Sequence, residues 1–276
     1  MYIARDYVAD GVFTPGIEGP ATGPDGLLYV VNFGSEGTIG RVYPQADGSG
    51  HAELFVTLPQ GSVGNGIRFG HDGMMYVADH QGHGVLKVDP RNGEVTQHAQ
   101  QSAMSQPNDI AITQDDVLYA TDPNWTSNSG QLWRIDRDGS THLLETGMGT
   151  TNGIEVSPDG KHLYVNESVQ RSVWQYTLQA NGSIGDKQLL IQFAEHGLDG
   201  MRCDDQGNLY IARHGAGVVA IVSPEGTLLR EVALKGTKPS NVAFGGPDGR
   251  SVYVTLQDRG AIETFRAEHP GREYDH

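Results

Sequence analysis

The sequence predicts an all-β chain folded as a six-bladed β-propeller, and three observations lead there. Six stretches of one form recur: "EGPATGPDGLLYVVNF" from Glu18, "NGIRFGHDGMMYVADH" from Asn65, "NDIAITQDDVLYATDP" from Asn108, "NGIEVSPDGKHLYVNE" from Asn152, "DGMRCDDQGNLYIARH" from Asp199 and "NVAFGGPDGRSVYVTL" from Asn241. Their starts lie 47, 43, 44, 47 and 42 residues apart, a period that suits a four-stranded propeller blade. Each stretch carries a tyrosine in its second apolar run: Tyr29, Tyr76, Tyr119, Tyr164, Tyr210 and Tyr253. Glycine is abundant, at 38 of 276 residues, and no long stretch has the apolar period of a helix.

The elements follow in order. The beginning, "YIARDYVADGV", reads as a strand with no blade of its own. Within each repeat a short strand follows the polar start, as in Ile154-Glu155-Val156. A turn comes next, often Asp-Gly: Asp25-Gly26, Asp72-Gly73, Asp159-Gly160 and Asp248-Gly249. Such pairs suit tight hairpins because glycine takes positive φ freely. The tyrosine-bearing strand follows, then a third such as "GVLKVDP" or "QLWRID", then a fourth such as "AELFVTL" or "KQLLIQF". The last repeat lacks a fourth strand after "AIETFRAE". The strand near residues 2–12 is therefore expected to complete that blade, closing the ring and covering two sheet edges. Residues 1–276 read as one propeller domain, and the tail "HPGREYDH" reads as a loose end.

Composition narrows the function classes. The formal charge is -15, which argues against nucleic acid and against an anionic membrane surface but does not oppose a hard cation. The one cysteine, Cys203, forms no internal disulfide and fits a reducing cytoplasm. The start has no apolar core of signal-peptide length, and no run is long enough to span a bilayer. The expected location is the cytoplasm. A closed propeller can stand alone as a monomer, and the sequence does not fix the oligomeric state.

Innermost strands line a propeller's channel, so the six repeat starts should face one another across the axis. All six, Glu18, Asn65, Asn108, Asn152, Asp199 and Asn241, carry a carboxylate or carboxamide. A single Asn-Gly reads as a turn. Six equivalent positions read as a site, with ordered water as the other occupant. Oxygen-only donors suit one hard divalent cation: Ca²⁺ first, with Mg²⁺ and Mn²⁺, and with Zn²⁺ and Fe²⁺ as further alternatives. The eleven histidines show no metal-ligand spacing.

The ordered set "EGP", "PNDI" with "LYATDP", "TNGIEVSPDGKHLYV", "LDGMRCDDQGNLYIA" and "NVAFGGPDGRSVYVT" resembles the gluconolactonase family, which includes regucalcin and luciferin-regenerating enzyme. The likeness runs from about Glu18 to Thr255. It implies metal ligands at Glu18, Asn152 and Asp199, a general base at Asp199, and a substrate contact at Asn108 that is also a candidate metal contact. Many relatives carry an Arg two residues before that Asn; here Gln106 stands there, able to hydrogen-bond but without charge or fork geometry.

The resemblance points to hydrolysis of a sugar lactone, with the cation polarising the carbonyl and Asp199 accepting a proton from water. Asn108 and Gln106 would orient the substrate. His80, Asn124, Trp125 and His214 follow second strands and are candidates for the pocket wall or for ordinary loop positions. Two alternatives stay open: a metal hydrolase of phosphorus esters, and a calcium- or protein-binding propeller without turnover. "GHDG" and "RHGAG" lack the nucleophile elbow of a serine hydrolase, and no helix follows "GNGIRFG" to cradle phosphate.

Overall fold

The computed structural model describes residues 1–273, which contain strands and no helix. The strands form six four-stranded antiparallel sheets arranged as propeller blades. The first strand, β1 (Arg5–Val8), belongs to the last blade. Blade 1 is β2 (Phe13–Thr22), β3 (Leu28–Phe33), β4 (Thr38–Pro44) and β5 (Gly50–Thr57). Blade 2 is β6 (Gly64–Phe69), β7 (Met75–Asp79), β8 (Gly84–Val88) and β9 (Val95–Gln100). Blade 3 is β10 (Ile110–Ile112), β11 (Leu118–Asn124), β12 (Ser129–Ile135) and β13 (Thr141–Met148). Blade 4 is β14 (Thr151–Val156), β15 (His162–Glu167), β16 (Ser172–Leu178) and β17 (Ile184–Gln192). Blade 5 is β18 (Met201–Cys203), β19 (Leu209–Arg213), β20 (Val218–Val222) and β21 (Leu228–Ala233). Blade 6 is β22 (Pro239–Gly245), β23 (Ser251–Leu256) and β24 (Ala261–Arg266), with β1 as its outer strand.

Local chemistry explains the hairpins. Gly26, Gly73, Gly160 and Gly249 all have positive φ, and the preceding Asp accepts a backbone N–H two residues on in each case. The repeat tyrosine serves the same turn in the first two blades: Tyr29 donates to Asp25 at 2.8 Å and Tyr76 to Asp72 at 3.0 Å.

The core lies between blades. Six apolar clusters each join two neighbours, such as Tyr29, Val31 and Ile39 of blade 1 against Ile67, Met75 and Val77 of blade 2. Second strands such as β7 and β19 are buried throughout, whereas outer strands such as β21 are largely exposed. Such continuous apolar runs need cover on both faces, which is what a blade between two blades receives.

The ring closes as the sequence predicts. β1 pairs antiparallel with β24, Arg5 opposite Thr264 and Val8 opposite Ile262. Tyr7 packs on Tyr253 with ring centroids 4.8 Å apart, and Arg259 bridges Asp6 at 2.9 Å and Glu263 at 2.7 Å. Inside, β2 of the first blade touches β22 of the last.

The tail corrects an expectation. Residues up to Arg272 are tied into the ring rather than loose. Gly271 bridges Asp204, Asp205 N–H donates to Pro270 O, and Arg272 N–H donates to Cys203 O. The Arg272 guanidinium donates to Glu155 of blade 4 and to Ile112 O of blade 3, both at 2.8 Å. It satisfies acceptors that a bare channel floor would strand. The rest of that stretch, residues 274–276, lies outside the described residues. Among the described residues no helix is long and apolar enough to cross a membrane.

Candidate active site

The polar starts sit where inner strands leave regular pairing. The β2–β3, β6–β7 and β14–β15 ladders shift register beside Glu18, Asn65 and Asn152. The following glycine has a physical reason in four repeats. A Cβ on Gly19 would lie 1.8 Å from Asn65 O, and one on Gly153 would lie 2.4 Å from Asp199 O. One on Gly66 would meet Asp109, and one on Gly200 would meet Asn241. Each glycine thus marks the point where the chain of the next blade passes, and only a bare backbone fits.

Glu18 and Asp199 meet at the hub, both nearly inaccessible to solvent. Burial, above all, raises the pKa of each; Asp199 is driven further up by the adjacent Glu18 charge, and the two carboxyls are within hydrogen-bond contact. Glu18 Oε2 accepts from Gly19 N–H at 2.9 Å and from Asn241 Nδ2 at 3.1 Å. Asp199 Oδ1 accepts from Gly200 N–H at 3.1 Å, and the Asn152 amide also donates to this carboxyl.

The four asparagines divide into two kinds. The Oδ1 atoms of Asn108 and Asn152 are shielded from solvent and accept no hydrogen bond, an unusual state for buried carboxamide oxygens. Asn65 spends its nitrogen, and Asn241 both ends of its amide, on structure. Asn65 donates to Asn108 O at 2.9 Å. Asn241 Oδ1 accepts Val242 N–H at 2.9 Å and faces Arg202 at 3.4 Å, which turns its nitrogen toward Glu18. Glu18, Asn108, Asn152 and Asp199 thus keep oxygen lone pairs that the internal hydrogen bonds do not use up.

Residues invisible to the repeat reading hold this hub. Thr121 of β11 donates to Asn152 O at 2.6 Å, Asn166 of β15 to Asp199 O at 2.6 Å, and Ser240 to Ile17 O at 2.8 Å. Below them lies buried Asp109, 3.6 Å from Arg68 and 3.4 Å from Arg202. Burial pushes Asp109 up to about 7, and the Arg68 charge acts against that rise.

Above the hub opens a cavity of ≈ 470 Å³, a size suited to a small metabolite. Glu18, Asn108, Asn152 and Asp199 line it, together with Gln106, His80, Trp125 and His214. Asn124 does not line it. That exposed side chain accepts the N–H groups of Thr126 and Ser127, shaping the loop that carries Trp125. Gln106 is fixed by Asp122, whose Oδ1 takes its N–H at 2.6 Å. Ser168, Gln257 and Glu36 complete the rim and were not singled out from sequence. A signal existed for the first two: like His80 and His214, each directly follows the second strand of its blade. Burial holds the pKa of His80 and His214 below the usual imidazole range, so both stand neutral at pH 7.

The donor set suits a hard dication. Two carboxyls press together with no cationic side chain between them, and two orphaned carboxamide oxygens stand beside them. Among the described residues no cluster of three His, Cys, Asp or Glu has metal-holding geometry, so neutral amide oxygens would have to complete such a site.

Fold and hub together define a six-bladed propeller with an oxygen-lined central cavity. The chain belongs to the SMP-30/gluconolactonase/LRE-like family, whose model matches residues 23–258. It is 31% identical over 236 residues to a gluconolactonase of Zymomonas mobilis, a match covering 75% of this chain and 65% of that protein. Matches to the next curated relatives span about half of their lengths. The diisopropyl-fluorophosphatase of Loligo vulgaris is 24% identical over 291 residues, covering 94% of this chain and 91% of its own. The crystal structure of a calcium-binding protein, regucalcin, from Agrobacterium tumefaciens superposes with a TM-score of 0.82, covering 98% of this chain and 95% of that one at 21% identity. That likeness shows the shared fold.

Proposed function

We propose that the chain is a divalent-cation-dependent hydrolase that opens a sugar lactone. The observation carrying this reading is the pairing of two buried carboxyls with two unsatisfied carboxamide oxygens at the floor of a polar cavity. The gluconolactonase relative supports the substrate class. Glu18, Asn152 and Asp199 would hold the cation, with Asn108 as a fourth donor, and Ca²⁺ fits an all-oxygen set best. A bound dication would offset the two carboxylates and polarise the lactone carbonyl. Cys203, buried and free, is compatible with the cytoplasmic setting we assign.

The chain's own groups supply the rest. Asp199 takes a proton from water as the water oxygen bonds to the carbonyl carbon. It returns the proton to the ring oxygen as the C–O bond breaks, leaving the hydroxy acid. Asp199 would accept that proton through a carboxylate oxygen not engaged by the cation. Glu18 stays fixed by Gly19 and Asn241. Asn108 and Gln106 present amides to the sugar hydroxyls, and neutral His80 and His214 add further hydrogen-bonding groups. Trp125, 43% exposed at the rim, offers an apolar face to the sugar ring.

The fluorophosphatase relative favours phosphorus esters as a second reading, since the same charge stabilisation serves a phosphoryl centre. The deciding experiment strips the protein of metal and assays aldonolactones and an organophosphate by pH indicator, with each divalent ion added back. Lactone turnover that vanishes in chelator and returns with one ion is expected. Full activity in exhaustive chelator, or turnover of the phosphorus ester alone, overturns the lactonase reading.

A further inference from the structure

The rim of the cavity has a charge pattern that the hydrolysis itself does not need. Blades 2 to 6 contribute His80, Trp125, Ser168, His214 and Gln257, none of them charged at pH 7. Blade 1 contributes Glu36. Among the described residues that line the cavity there is no lysine or arginine.

Glu36 is seated, not trailing. Thr14 donates to its Oε1 at 3.0 Å. The carboxylate lies over Gly16, where a Cβ would come within 2.6 Å of Oε1. The missing side chain at Gly16 is the space Glu36 occupies. Asn32 steadies the same corner by donating to Gly16 O at 2.7 Å and accepting Gly37 N–H at 3.1 Å. Glu36 is also close enough to His80 to act on it electrostatically. A fixed negative charge on the wall of a cleft is felt more strongly by a bound molecule than the same charge on open surface, because the low-dielectric walls focus its field.

We propose that Glu36 sets the charge the substrate carries: it rejects lactones bearing a phosphate, sulfonate or carboxylate and admits those whose hydroxyls are unsubstituted. This rests on the lactonase reading above. The mechanism is repulsion of the wrong ligand, one of the two routes to discrimination between molecules that otherwise fit alike. An anionic group placed beside Glu36 meets its carboxylate, and no lysine or arginine lines the cavity to pair with it. A hydroxyl there finds an acceptor in Glu36.

The test compares an uncharged aldono-1,5-lactone with its 6-phosphate ester on the cation-loaded protein. In the wild type the ratio of kcat/KM values should favour the uncharged lactone by roughly tenfold or more, and rising salt should shrink it. Glu36→Gln should narrow the ratio several-fold. Glu36→Lys should narrow it further or invert it. Gly16→Ala, which displaces the carboxylate without removing it, should also narrow it. An unchanged ratio in both Glu36 variants that still turn over the uncharged lactone overturns the proposal. If the wild type hydrolyses neither lactone, the lactonase reading falls instead. Calorimetric affinities for the aldonate and its 6-phosphate then judge Glu36 on the same ratio, and equal ratios in wild type and Glu36→Lys reject it.

Discussion

The side-chain nitrogen of Asn241 lies 3.1 Å from Oε2 of Glu18, joining the last blade to the first at the hub. Backbone and Arg202 contacts to Asn241 Oδ1 fix which end of the amide faces Glu18. Replacing it with Leu keeps the volume and removes the donor. We expect Asn241→Leu to destabilise the protein by about 1–3 kcal/mol, the cost of losing a hydrogen bond to a buried carboxyl, and to weaken cation binding. Urea unfolding and a calcium titration check both, and an unchanged midpoint would show that this bond carries no weight.

Asp199 presents the opposite balance. In the cation-free protein its carboxyl is strained by burial and by Glu18. Asp199→Asn should therefore raise the melting midpoint of stripped protein while lowering turnover by roughly 10²-fold or more, the loss of a general base. A variant that is less stable when stripped, or that keeps full turnover, contradicts the arrangement described.

The same carboxyls predict a pH dependence. Asp109, raised to about 7, together with Glu18 and Asp199, holds protons longer in the folded than in the unfolded chain. Stability from such groups is present below their unfolded values near 4 and is lost as pH rises through the folded ones. Stripped protein should melt at progressively lower temperature between roughly pH 5 and pH 8, and saturating cation should remove much of the fall. Asp89 and Asp248, held down to about 2 by Arg91 and Arg266, act only in a more acidic window. A midpoint that stays flat or rises across the neutral range speaks against the buried acids.

Deleting residues 1–12 removes β1, the Tyr7–Tyr253 contact and the Asp6 and Asp10 partners of Arg259. The exposed edge of β24 then becomes a pairing template. A lower midpoint and concentration-dependent association in light scattering are expected; a monomer of unaltered midpoint would refute closure by the first strand.

Arg272 should matter as much as a core residue. Arg272→Met removes the donor to Ile112 O and one of the two guanidinium partners of Glu155, the other being Arg68 at 3.6 Å, and breaking a buried ion pair from one side costs about 3–5 kcal/mol. Gly271→Ala, whose Cβ would lie 2.4 Å from that of Phe244, should destabilise independently. Wild-type denaturation curves for both variants would return the tail to the status of a loose end.

What the sequence made legible was local. Asp-Gly turns and short apolar runs act within a hairpin, so the blades could be read directly, and the missing fourth strand of the last repeat pointed to the closure. The polar starts could be aligned, but their division of labour could not. Asn241 looks like Asn108 and Asn152 until Arg202, Val242 and Glu18 engage both ends of its amide, and Asn65 until Asn108 O takes its nitrogen. Asp109 owes its character to burial and to Arg68 and Arg202 of other blades, and Glu36 to its fit over Gly16, neither of which a repeat alignment encodes. The tail was misread because its partners, Cys203, Glu155 and Ile112, lie far back along the chain.

The seam where the two ends of the polypeptide meet passes directly behind Glu18, through Ser240 to Ile17 and Asn241 to Glu18. Damage at the rivet reaches the workbench first. A gently heated sample should fall silent in assay while circular dichroism still reports intact sheet, so thermal inactivation and thermal unfolding are two events, ordered by where the hoop is fastened.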